Sequence, residues 1–140
     1  MEQQRVAFAK AMATKGGCMK RILLVDDDAA QCLVCQKELE REGYQVLMAA
    51  DGLEAIECFK KEEKVDLVVL DIRMPQMDGM EVLGKLIFLR PGLPIILYTA
   101  FDFYRDNFLS WAADAYILKS PDITELKTKI KDLFQKETNG

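Results

Sequence analysis

Histidine is absent from this sequence of 140 residues, and no apolar run is long enough to cross a membrane. Without an imidazole, the chain lacks the commonest general acid–base, the commonest metal ligand, and any Ser–His or Cys–His nucleophile pair. A membrane-spanning helix needs about 20 mainly apolar residues, so we expect no membrane span. Residues 1–20 lack the apolar stretch and cleavage pattern of a signal peptide. We therefore expect a cytoplasmic protein.

The charge balance and the cysteines exclude further classes. The formal net charge is -4, which gives no electrostatic basis for binding nucleic acid or an anionic membrane. Half of the residues are hydrophobic and 30% are charged, a balance typical of one globular domain. In a reducing compartment we expect free thiols rather than disulfides at the four cysteines, Cys18, Cys32, Cys35 and Cys58.

Five short apolar runs alternate with segments of helical length. The runs cover residues 21–25, 45–49, 67–70, 94–98 and 115–118. Unbroken apolar runs such as Leu67–Leu70 suit parallel strands that are buried on both faces. The alternation predicts an α/β fold, in which a single doubly wound, five-stranded parallel sheet carries helices on both faces.

Apolar positions at helical spacing predict the helices between these strands. The first helix is expected over residues 29–42, with Cys32, Cys35 and Leu39 on its buried face and Gly43 as its stop. A fourth helix is expected near residues 102–112. The second helix is expected to pack through Leu53, Ile56 and Phe59, and the third through Met80, Leu83, Ile87 and Leu86. The fifth is expected to pack through Ile123, Leu126, Ile130, Leu133 and Phe134.

Polar side chains follow four of the five predicted strands. Three aspartates, 26–28, follow the first strand; Asp71 follows the third, Thr99 the fourth and Lys119 the fifth. In open parallel sheets, ligands bind beyond the carboxyl ends of the strands. The strand order 2-1-3-4-5 would bring all of these side chains to one place.

These residue types predict a metal-assisted phosphoryl site. Clustered carboxylates repel one another, and a divalent cation relieves that repulsion. Mg²⁺ prefers oxygen ligands and phosphate. Beside it, one carboxylate could act as a nucleophile toward phosphorus, while Lys119 adds a positive charge and Thr99 a hydrogen bond.

Four motifs resemble the receiver domains of response regulators in two-component signalling systems. They are ILLVDDD at 22–28, DIRMPQMDGM at 71–80, PIILYTA at 94–100 and ADAYILK at 113–119. The resemblance covers residues 20–136 and implies the flavodoxin-like (βα)5 fold of single-domain chemotaxis regulators. We accordingly expect an N-terminal extension at 1–19, a receiver domain at 20–137 and a tail at 138–140.

The resemblance implies a phosphoryl-accepting signal-transduction switch. A histidine kinase or phosphotransfer protein would phosphorylate Asp71, and Lys119 and Thr99 would contact the phosphoryl group. Thr99 and Tyr116 would then change conformation. Such a domain promotes its own phosphorylation and autodephosphorylation and is not a turnover enzyme.

The same resemblance implies a bound Mg²⁺ (or Mn²⁺) and no other cofactor. Its ligands would be Asp27, Asp71, the backbone carbonyl of Arg73, and Asp26 through a water molecule. Asp28 is interpreted as a helix N-cap rather than a ligand.

Two features depart from the family pattern. The family lysine is usually followed by proline with a cis bond, whereas Ser120 follows Lys119 here. A cis bond before a non-proline residue costs about 2.5–4 kcal/mol, so we expect a trans bond or a strained cis bond. Arg73 and Phe101 occupy positions that tune the lifetime of the phosphoryl group in this family, and we expect slow autodephosphorylation.

Partner surfaces are expected at two places. The segment after Thr99 is rich in aromatic residues. In the family, the face formed by the fourth helix, fifth strand and fifth helix is the usual readout surface, which implies a downstream protein, a kinase or a second copy of the chain as its partner. Residues 1–19 are either a tag, an upstream start or tail, or a short amphipathic helix that docks on a partner.

Other functions stay open at this point. The chain could be a receiver fragment of a larger hybrid kinase or regulator, a phosphorelay intermediate, or a degenerate receiver that only binds proteins. A redox role would depend on the C-x-x-C spacing of Cys32 and Cys35, although both lie inside a predicted helix. A flavin or nucleotide enzyme would need a phosphate loop where three aspartates stand.

Overall fold

The structure, a computed structural model, describes residues 19–61, 64–72, 79–100 and 112–139. Its elements are β1 (Arg21–Val25), α1 (Ala29–Arg41), β2 (Gln45–Ala49), α2 (Gly52–Lys61), β3 (Leu67–Leu70), α3 (Gly79–Leu89), β4 (Ile95–Thr99), β5 (Ala115–Leu118) and α4 (Thr124–Asn139). The helix expected near 102–112 falls almost wholly outside the described residues, so the predicted fifth helix is α4. Residues 1–18, Arg73 and Phe101 also lie outside them.

The five strands form one parallel sheet in the order β2-β1-β3-β4-β5. This confirms the predicted sheet and strand order. The register aligns Val25 with Ala49 on one side and with Leu70 on the other, and Thr99 with Leu118. The residues that follow these strands therefore emerge side by side at one edge.

Buried side chains fill both faces of the sheet, as a doubly wound fold requires. One core lies under α2 and α3 and includes Leu23, Leu70, Leu86 and Leu97. The other lies under α1 and α4 and includes Leu39, Val69, Leu126 and Ile130. Strands β3 and β4 are buried at every position, which explains their unbroken apolar sequences.

Side chains and a glycine set the helix ends. The Asp28 carboxylate accepts a hydrogen bond from the Gln31 backbone N–H at 3.2 Å and caps α1. Asp51 caps α2 by accepting from the Glu54 backbone N–H at 2.8 Å. Gly43 has a φ of 99° and ends α1 in the left-handed region that favours glycine. The predicted cap and stop of α1 are both confirmed.

Two expectations about local structure need correction. Strand β4 covers Ile95–Thr99 rather than 94–98, because Pro94 has no N–H and contributes only its carbonyl, to Val68 N–H at 3.0 Å. Leu53 is 54% exposed and does not belong to the buried face of α2. That face is formed by Gly52, Ala55 and Phe59.

The bond between Lys119 and Ser120 is trans, since no described residue has a cis peptide bond. A trans bond is one of the two geometries expected where serine replaces the proline of the family. Within the described ranges, no helix is long and apolar enough to cross a membrane.

Candidate functional site

The backbone of the sheet continues into the site residues and fixes their positions. Asp26 N–H donates to the Ala49 carbonyl at 3.1 Å, and Asp71 N–H donates to the Val25 carbonyl at 2.9 Å. On the other side, Lys119 N–H donates to the Thr99 carbonyl at 2.7 Å. Asp26, Asp71 and Lys119 are thus each anchored by a backbone hydrogen bond directly beyond the end of a strand.

Three carboxylates converge at this edge. Asp26, Asp27 and Asp71 each place one carboxylate oxygen so that the three oxygens lie within 4.8 Å of one another. Asp26 and Asp71 are buried and Asp27 is exposed, so the cluster has a protected floor and one open side. Hard oxygen ligands at this spacing fit a small divalent cation that keeps several waters.

Lys119 joins two of these carboxylates through its ammonium group. Its Nζ donates to Asp26 Oδ2 at 2.5 Å and to Asp71 Oδ2 at 3.0 Å. Burial alone would lower the pKa of Lys119, but the hydrogen bonds to Asp26 and Asp71 outweigh burial and raise that pKa above its ordinary value. Lys119 therefore stays charged and offsets part of the repulsion between the two acids.

Asp26 makes two further contacts besides its ion pair with Lys119. Its Oδ1 accepts the Asp28 backbone N–H at 2.9 Å, and its backbone carbonyl accepts from the Cys32 thiol at 3.5 Å. These bonds tie the first acidic residue to the start of α1. Asp28 points its own carboxylate to the helix cap and is not part of the cluster of three acids.

The remaining predicted site residues are placed as follows. Thr99 is fully buried at the end of β4, and Tyr116 is partly buried against the core under α2 and α3. Both lie on strands adjoining the acidic cluster. Arg73 is predicted to be a metal ligand through its carbonyl, and both Arg73 and Phe101 are predicted to tune the lifetime of the phosphoryl group. Both residues lie outside the described residues.

Tyr98 is a site neighbour that the sequence analysis did not single out. It is 4% exposed, and its hydroxyl makes no hydrogen bond of good geometry within the described parts of the chain. Burial raises the pKa of Tyr98, while the nearby Ser120 backbone and Gln31 side chain act in the opposite direction. A small cavity behind Asp26 and Asp71, lined also by Tyr98, Gln31 and Cys32, has a volume of about 10 Å³, about the space one water needs. The sequence feature that could have identified Tyr98 is its polar hydroxyl next to the aliphatic residues of a buried strand.

The Cys32–Cys35 pair does not have the environment of a redox site. Burial raises the pKa of Cys32 to about 12, with the charge of Asp26 adding to the effect. Burial likewise raises the pKa of Cys35 to about 11, again with a contribution from Asp26. Cys32 and Cys35 are both buried and form no disulfide. A reactive cysteine needs a lowered pKa and access, so the geometry opposes the redox alternative.

Alkylation should reveal this protection. In the folded protein at about pH 8, Cys32 and Cys35 should react with iodoacetamide at least about a hundredfold more slowly than in urea, because the reactive thiolate is nearly absent. Peptide mass spectrometry of timed samples would measure both rates, with the unfolded chain as control. Equal rates in the folded and unfolded protein would contradict the buried-thiol assignment.

Comparisons with known proteins agree with this fold. A family model described as the response regulator receiver domain matches residues 22–131. The response regulator TrrA of Thermotoga maritima, solved in complex with Mg²⁺-BeF, is 44% identical with a TM-score of 0.79, and the match covers 82% of this chain and 99% of that one. TrrA has also been solved in complex with the histidine kinase ThkA, with 44% identity, a TM-score of 0.77 and coverage of 82% and 98%.

A curated relative is similar over most of this chain. The alkaline phosphatase synthesis transcriptional regulatory protein PhoP of Bacillus subtilis is 38% identical over 119 residues, which cover 84% of this chain and 49% of PhoP. The chain spans half or less of the length of the first curated relatives that it matches.

A doubly wound parallel sheet with three carboxylates and a lysine beyond the ends of its strands agrees with these comparisons. This chain belongs to the response regulator receiver domain family of two-component systems.

Proposed function

We propose that this chain accepts a phosphoryl group from a histidine kinase on Asp71, in a Mg²⁺-dependent reaction, and thereby changes a partner-binding surface. The observation that carries the proposal is the position of the Asp71 carboxylate, buried beyond β3 and within hydrogen-bond distance of the Lys119 ammonium group. The same carboxylate lies within 4.8 Å of those of Asp26 and Asp27.

The acidic cluster supports a resident Mg²⁺ (or Mn²⁺). Asp27 and Asp71 would bind the cation directly, Asp26 through water, and the Arg73 backbone carbonyl would complete the protein ligands. Bound there, the cation would neutralise charge on the transferring phosphoryl group.

Asp71 and Lys119 would carry out the transfer itself. An Asp71 carboxylate oxygen forms the new bond to phosphorus, while the bond between phosphorus and the donor's histidine nitrogen breaks and its electron pair leaves with the imidazole. Lys119, already in contact with Asp71, is placed to meet the phosphoryl oxygens. Water would later attack phosphorus and break its bond to the Asp71 oxygen, which releases inorganic phosphate and returns the free carboxylate. In this proposal the phosphorylated chain itself is the signal, and the domain acts as a switch rather than as a turnover enzyme.

The switch itself would involve Thr99 and Tyr116. Phosphorylation adds about -1.5 to -2 charge units at physiological pH. The Thr99 hydroxyl would turn toward the new oxygens, and Tyr116, partly buried on the adjoining strand, would move into the space that Thr99 leaves. The phosphoryl group shifts the population only by its different contact energy in the two conformations. Arg73 and Phe101 would prolong the phosphorylated state.

Kinase contact is supported by an open groove beside the acceptor. Val34 on α1 is 54% exposed, and it lines this groove together with Lys119, Pro121 and Ile123. A phosphohistidine-bearing helix seated there would lie next to Asp71. The TrrA–ThkA complex supports this class of partner. The downstream target would use the face that includes β5 and α4.

An alternative is that the chain is the receiver part of a larger regulator or hybrid kinase. PhoP, for example, is a transcriptional regulatory protein about twice the length of the matched region. In that case a separate domain would provide the output, and the phosphoryl chemistry at Asp71 would be unchanged. A degenerate receiver that only binds proteins would instead show no phosphoryl uptake.

Intact-mass measurement with acetyl phosphate tests the proposal. With Mg²⁺ present, the wild-type chain should gain one phosphoryl group, and EDTA should prevent the gain because the acidic cluster then repels the anionic donor. Restoring excess Mg²⁺ should restore the gain. A known receiver treated in parallel controls for the reagent, and no uptake under conditions where that control reacts would contradict phosphoryl acceptance.

A further inference from the structure

An apolar groove between α2 and α3 is not used by the phosphoryl chemistry. It has a volume of about 530 Å³ and is lined by Ile56 and Lys60 of α2 and by Glu81, Gly84, Lys85, Phe88 and Leu89 of α3. Phe88 is 84% exposed and Leu89 is 41% exposed. An aromatic side chain that is almost fully in water, beside other apolar groups, is typical of an interaction surface.

The fold does not require a glycine at position 84. Gly84 lies within α3 and lacks a positive φ, and a Cβ added there would meet nothing within 4 Å. Glycine inside a helix is about 1 kcal/mol less favourable than alanine. The missing side chain leaves a hollow on the surface, and no contact within the described residues accounts for it.

The hollow and the exposed ring lie on the same side of one helix. Residues four apart in an α-helix are surface neighbours, so Gly84 is adjacent to Phe88. A surface that carries both a protruding ring and a hollow can be complementary to a second copy of itself. In a two-fold arrangement, Phe88 of each copy enters the hollow at Gly84 of the other.

The charges at the groove are compatible with such self-association. Glu81 and Lys85 lie on α3, and Lys60 lies on the facing edge of α2. All three are exposed. Because the surface carries both signs, two copies related by a two-fold axis can place an acid of one opposite a base of the other, whereas a surface of one sign would repel itself.

We propose that the groove between α2 and α3 is a homodimer interface in which Phe88 of each copy packs against Gly84 of the other. Phe88 and Leu89 form the last turn of α3, close to the chain segment that leads into the start of β4. They therefore lie toward the edge of the sheet opposite Asp71. Association through this surface does not depend on phosphorylation, and its test is independent of the proposed function.

Sedimentation equilibrium of the unphosphorylated 140-residue chain tests this interface. From micromolar to near-millimolar concentration, the mass should rise from 15.9 kDa toward twice that value. Phe88→Ser removes the ring and Gly84→Gln fills the hollow, and each should weaken association by at least about tenfold. Leu53→Ser is the matched control, because Leu53 is an exposed apolar residue of α2 that does not line the groove.

Mixing the two variants provides a more specific test. A heterodimer of Phe88→Ser and Gly84→Gln keeps one intact ring-in-hollow contact and places the new glutamine opposite the new serine, so the mixture should associate more tightly than either variant alone. Wild type that stays at 15.9 kDa, variants that associate as wild type does, or a mixture no tighter than its components would each overturn the proposal. Circular dichroism would check that both variants remain folded.

Discussion

Replacing Asp71 with asparagine is expected to eliminate phosphoryl uptake from acetyl phosphate completely. The amide has nearly the same shape as the carboxylate but lacks its negative charge and nucleophilic oxygen, so no acyl phosphate can form at this position. The backbone N–H of residue 71 would keep its 2.9 Å bond to the Val25 carbonyl, which preserves the end of β3. Intact mass after incubation with acetyl phosphate and Mg²⁺ would measure the loss.

Asp28→Asn is the matched control for this experiment. Asp28 belongs to the same run of three aspartates, but its carboxylate caps α1 through the Gln31 N–H. Asparagine serves as well as aspartate at an N-cap, so this variant should take up phosphate as wild type does. Full uptake by Asp71→Asn would mean that another residue is the acceptor. Loss of uptake in both variants would mean that the effect is not specific to position 71.

Replacing Lys119 with methionine is expected to destabilise the fold in EDTA by on the order of 3–5 kcal/mol, the typical cost of removing one partner of a buried ion pair. The Lys119 side chain is 12% exposed, and the side chains of Asp26 and Asp71 are 10% and 8% exposed. Without the ammonium group, two buried carboxylates would face each other with no counter-charge from this position. Urea unfolding at neutral pH would measure the difference.

Mg²⁺ should recover much of this loss, because a cation in the acidic cluster replaces the missing positive charge. The gain in stability on adding Mg²⁺ should therefore be larger for Lys119→Met than for wild type. Lys127→Met is the control, since Lys127 bonds Glu38 at 3.2 Å but is 28% exposed, and such pairs contribute at most about 1 kcal/mol. Equal losses for the two lysines would contradict the role of Lys119 as the counter-charge of the site.

The sequence predicted the sheet well because its signal is strong at the strands. Runs such as Leu67–Leu70 are apolar at every position, and every position is buried. The site residues could be located for the same reason, because residues that follow neighbouring parallel strands all lie at the same edge of the sheet. The prediction failed at Leu53 because two of the three buried residues of α2, Gly52 and Ala55, are too small to stand out as part of an apolar stripe, whereas the third, Phe59, was predicted correctly.

The details of side-chain contact could not be read from the sequence. The sequence pattern does not indicate that Lys119 lies closer to Asp26 than to Asp71. The difference between the two distances depends on the exact positions of the ends of β1, β3 and β5. Nor does the pattern indicate that the Tyr98 hydroxyl is buried without a hydrogen bond of good geometry. Strand alternation places Tyr98 on the face opposite Thr99, but only the packing of α1 determines whether that face offers a polar group.

The ammonium group of Lys119, held between Asp26 and Asp71, has a consequence for biosynthesis. In many small metalloproteins the polypeptide cannot fold until its ion arrives, and chelators then denature it. Here the polypeptide carries its own counter-charge to the acidic end of the sheet, so a newly synthesised chain can complete β1, β3 and β5 before it meets any divalent cation. Under the proposed function, the supply of Mg²⁺ would then set how many folded molecules can accept a phosphoryl group, while folding itself would not have to wait for the ion.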